Sequence, residues 1–479
     1  MTNRRDFLKG SASTGALSFL GGASLLSALG QNANAAQVSG YKALVCLFFL
    51  GGQDGHDTVL PYDQTSYDAF AAARPGLLAE YAAQVGGSTR TRDKLLALSP
   101  SNSADFSGRE YALPPALSPL KALFDSGDAA IIGNVGPLVR PLKRAEWDEG
   151  SIPTPARLFS HNDQQSTWMS LEKEGQNFGW GSKFIDSAIA SGANQNETFS
   201  SISLSGNTPF LASENSTQFG LHHSGAPSIN GLRPNYSTLL GTSRQQSETT
   251  ALLEEHYKNL GSQRANLFER DVATINKRAI ENNAFIQQSL DNGQTLTTIF
   301  PTSRLGRQLE MIARTINIKG SLNVGRQVFF VGMGGFDTHS NQVTKLTSLH
   351  TQYAEAIAAF NAAMVEINMN DDVTLFTSSE FGRSFVENGD GTDHGWGSHH
   401  FIVGGGVKGN AIYGDIPAYV KDHEYDAGNG RLIPQTSIEQ YAATLGKWFG
   451  LSDSELAAAL PNLANFTQKD LGFMAGGNT

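Results

Sequence analysis

The chain reads as an α/β protein with a doubly wound, mainly parallel central sheet flanked by helices. Three observations predict this. Tyr41–Leu50 (YKALVCLFFL), Gln327–Gly332 (QVFFVG) and Val373–Thr377 (VTLFT) are apolar runs of strand length without alternation, the pattern of strands buried on both faces. Between the last two, Leu346, Leu349, Tyr353, Ile357, Phe360, Met364 and Ile367 recur three and four residues apart, the stripe of a helix packed on a core. Each strand-like run also ends in a turn carrying acids or histidines, where doubly wound sheets place their sites.

The chain has 479 residues, 39% hydrophobic and 17% charged, with 51 glycines, which fits one large, loop-rich globular domain and excludes global disorder. A net charge of −10 argues against general nucleic-acid binding. The single cysteine, Cys46, sits inside the first apolar run and reads as a small buried hydrophobe. It permits no intramolecular disulfide.

Residues 1–36 read as a twin-arginine export signal. Arg4-Arg5-Asp6-Phe7-Leu8-Lys9 precedes a mildly apolar stretch, Ala16–Leu29, and small residues follow around a cleavage position near Ala35/Ala36. The stretch is too short and too weakly apolar for a membrane span. The expectation is export through the twin-arginine translocase, without a stable transmembrane anchor, to the periplasm or the outside.

From residue 37 to 479 we expect one domain. The first strand ends in Gly51-Gly-Gln-Asp54-Gly-His56-Asp57, an acidic turn that also suits simple side-chain hydrogen bonding. Ala129–Val135 is the next buried-strand candidate. Arg157–Trp168 passes from apolar residues to Ser160, His161 and Asp163 at what reads as a helix start. A hydroxyl there suits a nucleophile or a helix cap equally well. Residues from about 195 to 300 read as a loop and helical insertion or cap, with Leu252, Leu253, Tyr257, Leu260, Leu267, Val272, Ile275 and Ile280 near helical spacing. Leu305–Ile316 continues as a helix against the core. The strand at Gln327 leads into Gly335-Phe-Asp337-Thr-His339, and the strand at Val373 into Ser379-Glu380-Phe-Gly-Arg383. A Gly-rich loop, Gly391-Thr-Asp393-His394-Gly-Trp-Gly397, precedes His399, His400 and a further short strand, Phe401–Val403. Two capping boxes, Ser437/Gln440 and Ser452/Glu455, open the closing helices.

Asp54, Asp337 with His339, Glu380, and Asp393 with His394 thus fall in loops that a parallel sheet brings to one edge. Grouped carboxylates repel unless a cation joins them. Mixed carboxylate and imidazole donors suit Zn, Mn or Fe better than Ca. These positions are the predicted ligands of one or two divalent metal ions.

The quoted motifs, together with Tyr441–Gly450 (YAATLGKWFG), resemble the domain-of-unknown-function family 1501 over nearly the whole mature chain. That family is grouped with the alkaline phosphatase and sulfatase superfamily, so the resemblance implies an alkaline-phosphatase-like sheet with a metal site at its strand ends. It implies an exported metal-dependent hydrolase of a phosphate or sulfate ester, acting on an anionic small-molecule or polymer substrate. Ser160 is the expected nucleophile, and Arg383 or a histidine of the pair His399/His400 is expected to steady the transition state, although Arg383 suits the simple neutralisation of a carboxylate equally well. Phe381 stands where many members carry a histidine ligand, and no Cys-x-Pro-x-Arg signature is present. These departures support the alternative, a non-catalytic exported binding module keeping the fold and at most one structural metal.

Overall fold

A computed structural model describes residues 40–84, 90–175, 178–227, 251–253, 255–256 and 266–476. Contacts divide the chain into two units, Met1–Gln37 and Val38–Thr479. All described residues belong to the second unit. The export signal with its Ala35/Ala36 cleavage position, and much of the 195–300 insertion including Tyr257 and Leu260, lie outside them.

A nine-stranded mixed sheet forms the centre of this unit. Its strands are β1 (Lys42–Phe49), β2 (Ala129–Gly136), β3 (Ser201–Ser203), β4 (Phe219–Gly220), β5 (Arg326–Met333), β6 (Val373–Ser379), β9 (Ser398–Val403), β10 (Ile412–Tyr413) and β11 (Thr436–Ser437). The order is β10-β2-β9-β6-β1-β5-β3-β4, with β11 also on β2. Every recorded pairing within it is parallel except those of β9 with β2 and β6. The predicted doubly wound, mainly parallel sheet is therefore observed, with β9 as its one reversed strand among the described residues. The strand–helix–strand unit predicted from the sequence is β5, α8 (Gln342–Glu366) and β6, with β1 seated between the two strands.

The unbroken apolar run of β1 is explained by its position. Ala43, Val45, Leu47 and Phe49 join one core with Leu346, Tyr353, Ile357 and Phe360 of α8 and Leu309 and Ile312 of α7 (Arg304–Asn317). Leu44, Cys46 and Phe48 join the other, with Tyr441, Leu445 and Trp448 of α9 (Ile438–Phe449) and Phe184 of α5 (Trp180–Ala190). Helices cover both faces, and each large side chain so buried contributes roughly 1.5–3 kcal/mol. Both predicted capping boxes are formed, at the starts of α9 and α10 (Asp453–Ala459).

Leu267, Val272 and Ile275 lie on α6 (Leu267–Asn292) and face outward, and the buried residues of that helix are Ala273, Ile286 and Leu290.

The site is set by register. Phe49 of β1 pairs level with Met333 of β5 and with Ser379 of β6, so these three strands end side by side. The loops after them meet closely. A Cβ on Gly51, which has φ +114°, would lie 2.2 Å from the backbone nitrogen of Asp337. Only glycine permits that approach.

Candidate metal centre

Four segments deliver the side chains. The loop after β5 carries Asp337 and His339. Glu380 follows β6 directly, and Arg383 opens β7 (Arg383–Glu387). The Gly-rich stretch, expected as a loop, is partly a ribbon: β8 (Thr392–His394) pairs antiparallel with β7 and sets His394 opposite Arg383. The fourth segment supplies His161, first residue of α4 (His161–Ser170). Before it, Arg157 (φ 48°) and Phe159 (φ 72°) adopt the left-handed backbone, which costs non-glycine residues of order 1 kcal/mol or more each. That backbone leaves the Phe159 carbonyl 2.8 Å from Nδ1 of His394.

His161, Asp337 and His394 each offer a ligand atom within 4.8 Å of the others. His394 Nε2 lies 3.3 Å from Asp337 Oδ1, and His161 Nε2 3.7 Å from Oδ2. His339 adjoins them, its Nε2 3.3 Å from Asp337 Oδ1 and 2.9 Å from His394 Nε2. On each histidine the opposite nitrogen faces an acceptor. Nδ1 of His161 meets Glu380 Oε1 at 2.7 Å, Nδ1 of His394 meets the Phe159 carbonyl, and Nδ1 of His339 meets Asp393 Oδ1 at 3.4 Å. An uncharged imidazole has one hydrogen, and these partners claim it at Nδ1. The Nε2 atoms then turn lone pairs toward a carboxylate and toward one another. Lone pairs so gathered repel until a cation or extra protons join them, and three imidazoles with one carboxylate match the donor set of a borderline divalent ion. Histidines backed by acceptors are usual behind such ions. The residues present therefore fit a metal.

The electrostatics agree. Burial works to raise the Asp337 carboxyl, but the Arg383 hydrogen bond and charge, then His339, hold it below the usual carboxylate range. Burial is the largest influence on His394 and lowers it, favouring the uncharged form a ligand needs. Glu380 is raised by burial, which the His161 and Gln165 interactions oppose only in part. Its Oε1 accepts from the Gly51 backbone at 2.6 Å as well as from His161, while Oε2 is buried without a partner. The group opens to solvent, with the Asp337 and His339 side chains 44% and 46% exposed.

Several predicted site residues stand elsewhere. Asp54 is buried, and its oxygens accept from Arg74 at 2.7 and 3.1 Å, from Gln342 at 2.7 Å and from the Asp57 backbone at 3.2 Å. Four donors thus occupy the Asp54 carboxylate, and it is not part of the grouped ligand atoms of His161, Asp337 and His394. Glu380 and Asp393 stand behind His161 and His339 in place of joining Asp337. Arg383 is buried and spends its guanidinium on Asp337 at 2.9 Å, on Thr392 and on the Gly51 carbonyl at 3.1 Å, so it positions Asp337. His399 is a core residue: Nδ1 accepts from the Asn134 backbone at 3.0 Å, and burial pushes its pKa down to about 4. Ser160 stands at the N-cap of α4, yet its hydroxyl donates to Asp163 Oδ2 at 2.8 Å and caps no backbone N–H. Phe381 packs its ring 4.4 Å from that of His394 and 5.1 Å from that of His161. It forms a wall of the centre. The candidate ligand that sequence reasoning missed is His161; its signal was a histidine at the first position of a helix following a polar loop.

The described residues hold no helix long and apolar enough to cross a membrane. No curated protein matches the chain. Among solved structures it is similar to the PsFucS1 sulfatase from Pseudoalteromonas sp., at 10% identity over 92% of this chain and 74% of that one, TM-score 0.34. It is also similar to the C-terminal periplasmic domain of EcEptC from Escherichia coli in complex with Zn, at 9% identity over 87% and 85%, TM-score 0.31. A third is the alkaline phosphatase from the Antarctic bacterium TAB5, at 9% identity over 77% and 93%, TM-score 0.27. Residues 1–21 match the twin-arginine translocation signal, which places the protein in the periplasm or outside the cell. Residues 153–459, which contain the whole histidine group, match the profile described as "Protein of unknown function (DUF1501)", and the chain belongs to that family.

Proposed function

We propose that the protein is an exported hydrolase of a phosphate or sulfate ester that works with a single divalent ion, Zn, Mn or Fe, held by His161, Asp337 and His394 with His339 beside them. The observation carrying this reading is the grouping of His161, Asp337 and His394, whose ligand atoms lie within 4.8 Å of one another, with His339 adjoining and the Nδ1 of each imidazole facing an acceptor. Bound there, such an ion would polarise an ester oxygen and acidify a water.

The chain's own residues supply the rest. Arg383 holds Asp337 in place and keeps it ionised. Glu380 fixes His161, and the Phe159 carbonyl fixes His394. Arg431 donates Nε to the His394 carbonyl at 2.8 Å and stacks its guanidinium over Phe159, and the Arg157 side chain is 74% exposed one turn before His161. Arg157, although 3.6 Å from Asp163 Oδ1, and Arg431 are the cations we assign to an anionic substrate, since Arg383 is buried and fully engaged. With the Ser160 hydroxyl given to Asp163, water is the favoured attacking group, and Ser160→Ala should keep most of the activity.

One observation favours a second reading, an exported binding module with one structural ion. Asp54, the acid expected at a second metal, is consumed by Arg74. Elemental analysis of chain purified without chelators, paired with turnover of aryl phosphate and aryl sulfate esters, separates the two. The hydrolase requires about one tightly held ion per chain, lost together with turnover in Asp337→Ala. An ion without turnover selects the binding module, and no ion overturns the hydrolase and leaves the binding module.

A further inference from the structure

α6 has 26 residues and at 1.5 Å per residue is about 39 Å long. Its second half is anchored, since Ile286 and Leu290 join the main core. Its first half buries only Ala273. There Phe268, Val272, Ile275 and Ala279 recur four, three and four residues apart, a spacing that lays them in one seam along the helix, as in paired helices. Phe268 is 75% exposed, Ile275 64% and Val272 42%, and Ala279 is exposed with them. Lys277 and Glu281, 3.9 Å apart, occupy the opposite, solvated side. A helix that sorts its residues this way, yet turns the apolar seam to water, presents a surface to another molecule.

The residues beside the seam select the occupant. Asp271 and Arg278 share one flank, each a single position before a seam residue, and they are opposite in charge. Both are exposed, and neither side chain has a partner among the described residues. A second α6 laid antiparallel matches this flank. With Val272 beside Ile275 of the other copy, Phe268 meets Ala279, large against small, and Asp271 comes level with Arg278. A twofold axis repeats each of these contacts, so one geometry satisfies the seam and both charges of the flank. Parallel pairing brings Asp271 beside Asn276 and yields no charge pair. The mixed charge of the flank also offers little to an anionic lipid surface.

We propose that the first half of α6 is a self-association surface, through which two copies of the exported protein form an antiparallel homodimer. The seam is short, so the interface falls below the ~1,200 Å² at which standard interfaces begin, and the dimer is weak and reversible.

The test is sedimentation velocity of the mature chain from nanomolar to high micromolar concentration. A monomer–dimer equilibrium in the micromolar range is expected. Ile275→Glu, at an exposed position, should weaken it roughly tenfold or more, with circular dichroism and thermal unfolding unchanged. Asp271→Arg and Arg278→Asp each set like charges face to face and should each weaken self-association. Mixed together, with one of them fluorescently labelled, these two single variants should form a heterodimer in preference to either homodimer, because every facing pair is then opposite in charge. A chain that stays monomeric gives the seam to a neighbouring segment of the same chain or to a different partner, and overturns the proposal. A dimer undiminished by Ile275→Glu, or a mixture without preference for the heterodimer, overturns it as well.

Discussion

Asp54→Asn tests directly whether this acid serves a metal or the fold. Both oxygens of Asp54 receive only donors: Nη1 and Nη2 of Arg74, Nε2 of Gln342 and the Asp57 backbone. An asparagine amide therefore meets no acceptor with its NH₂, and Arg74, 1% exposed, keeps its charge with only the Phe385 and Ser384 carbonyls to receive it. Breaking a buried pair in this way costs about 3–5 kcal/mol. With an unfolding entropy of roughly 2.1 cal/mol/K per residue over Val38–Thr479, about 0.9 kcal/mol/K in all, the loss is a fall in Tm of about 3–5 °C. Differential scanning calorimetry reads the shift, and elemental analysis of the same sample should show the metal content of the wild type. Asp54→Leu combined with Arg74→Met removes both charges and should recover most of the stability. Loss of the ion in Asp54→Asn, with Tm moved by less than about 1 °C, would refute the reasoning and return Asp54 to the metal.

Three further outcomes are expected. His161→Ala should lose the bound ion as completely as Asp337→Ala, although His161 lies far from the other ligands in sequence; retention of the ion in metal analysis would remove it from the centre. Glu380→Gln, which loses the charge behind His161, should weaken metal binding about 10–100-fold in a competition titration with a chelator, and unchanged affinity would make Glu380 a packing residue only. Burial holds His350 and His400 down to about 3 and His399 to about 4, so unfolding below pH ~6.5 takes up protons that the folded chain refuses. The unfolded state binds more protons there; stability is fully present above the unfolded pKa and is lost as pH falls toward the folded values. The three together approach a slope of about 4 kcal/mol per pH unit. Urea unfolding of Asp337→Ala at pH ~7 and ~5 measures this without a contribution from the ion, and equal midpoints would contradict it.

The legible parts of the sequence were those in which one residue pattern has one physical solution. β1, β5 and β6 are buried on both faces, so their runs carry no alternation, and the stripe of α8 has a single apolar face. Asp337, His339 and His394 were legible because each follows or flanks such an element. The roles of the other polar groups depend on partners distant in the chain. Asp54 has the same sequence context as a ligand, and only the return of Arg74 on the helix Gln64–Ala73's far end makes it a structural anion. His399 and His400 share a histidine-rich stretch with His394, but β9 carries them into the interior. No periodicity distinguishes a histidine that enters the sheet from one that stays on its rim.

Phe381 sets one side of the histidine group. An aromatic ring after Glu380 cannot donate to an ion, and it packs against His394 and His161. That contact shields one side of the imidazoles while Asp337 and His339 stay open on the other. The same loop leaves Glu380 buried behind His161, where it would act on a bound ion only through the ring. A second ion would need an anion near Asp54, yet that charge is already balanced by Arg74, and displacing the guanidinium would leave it buried and unpaired. The proposed centre therefore has room for one ion: the Asp54 carboxylate is already held by Arg74 inside the fold, and Phe381 lines the histidine group without offering a ligand atom.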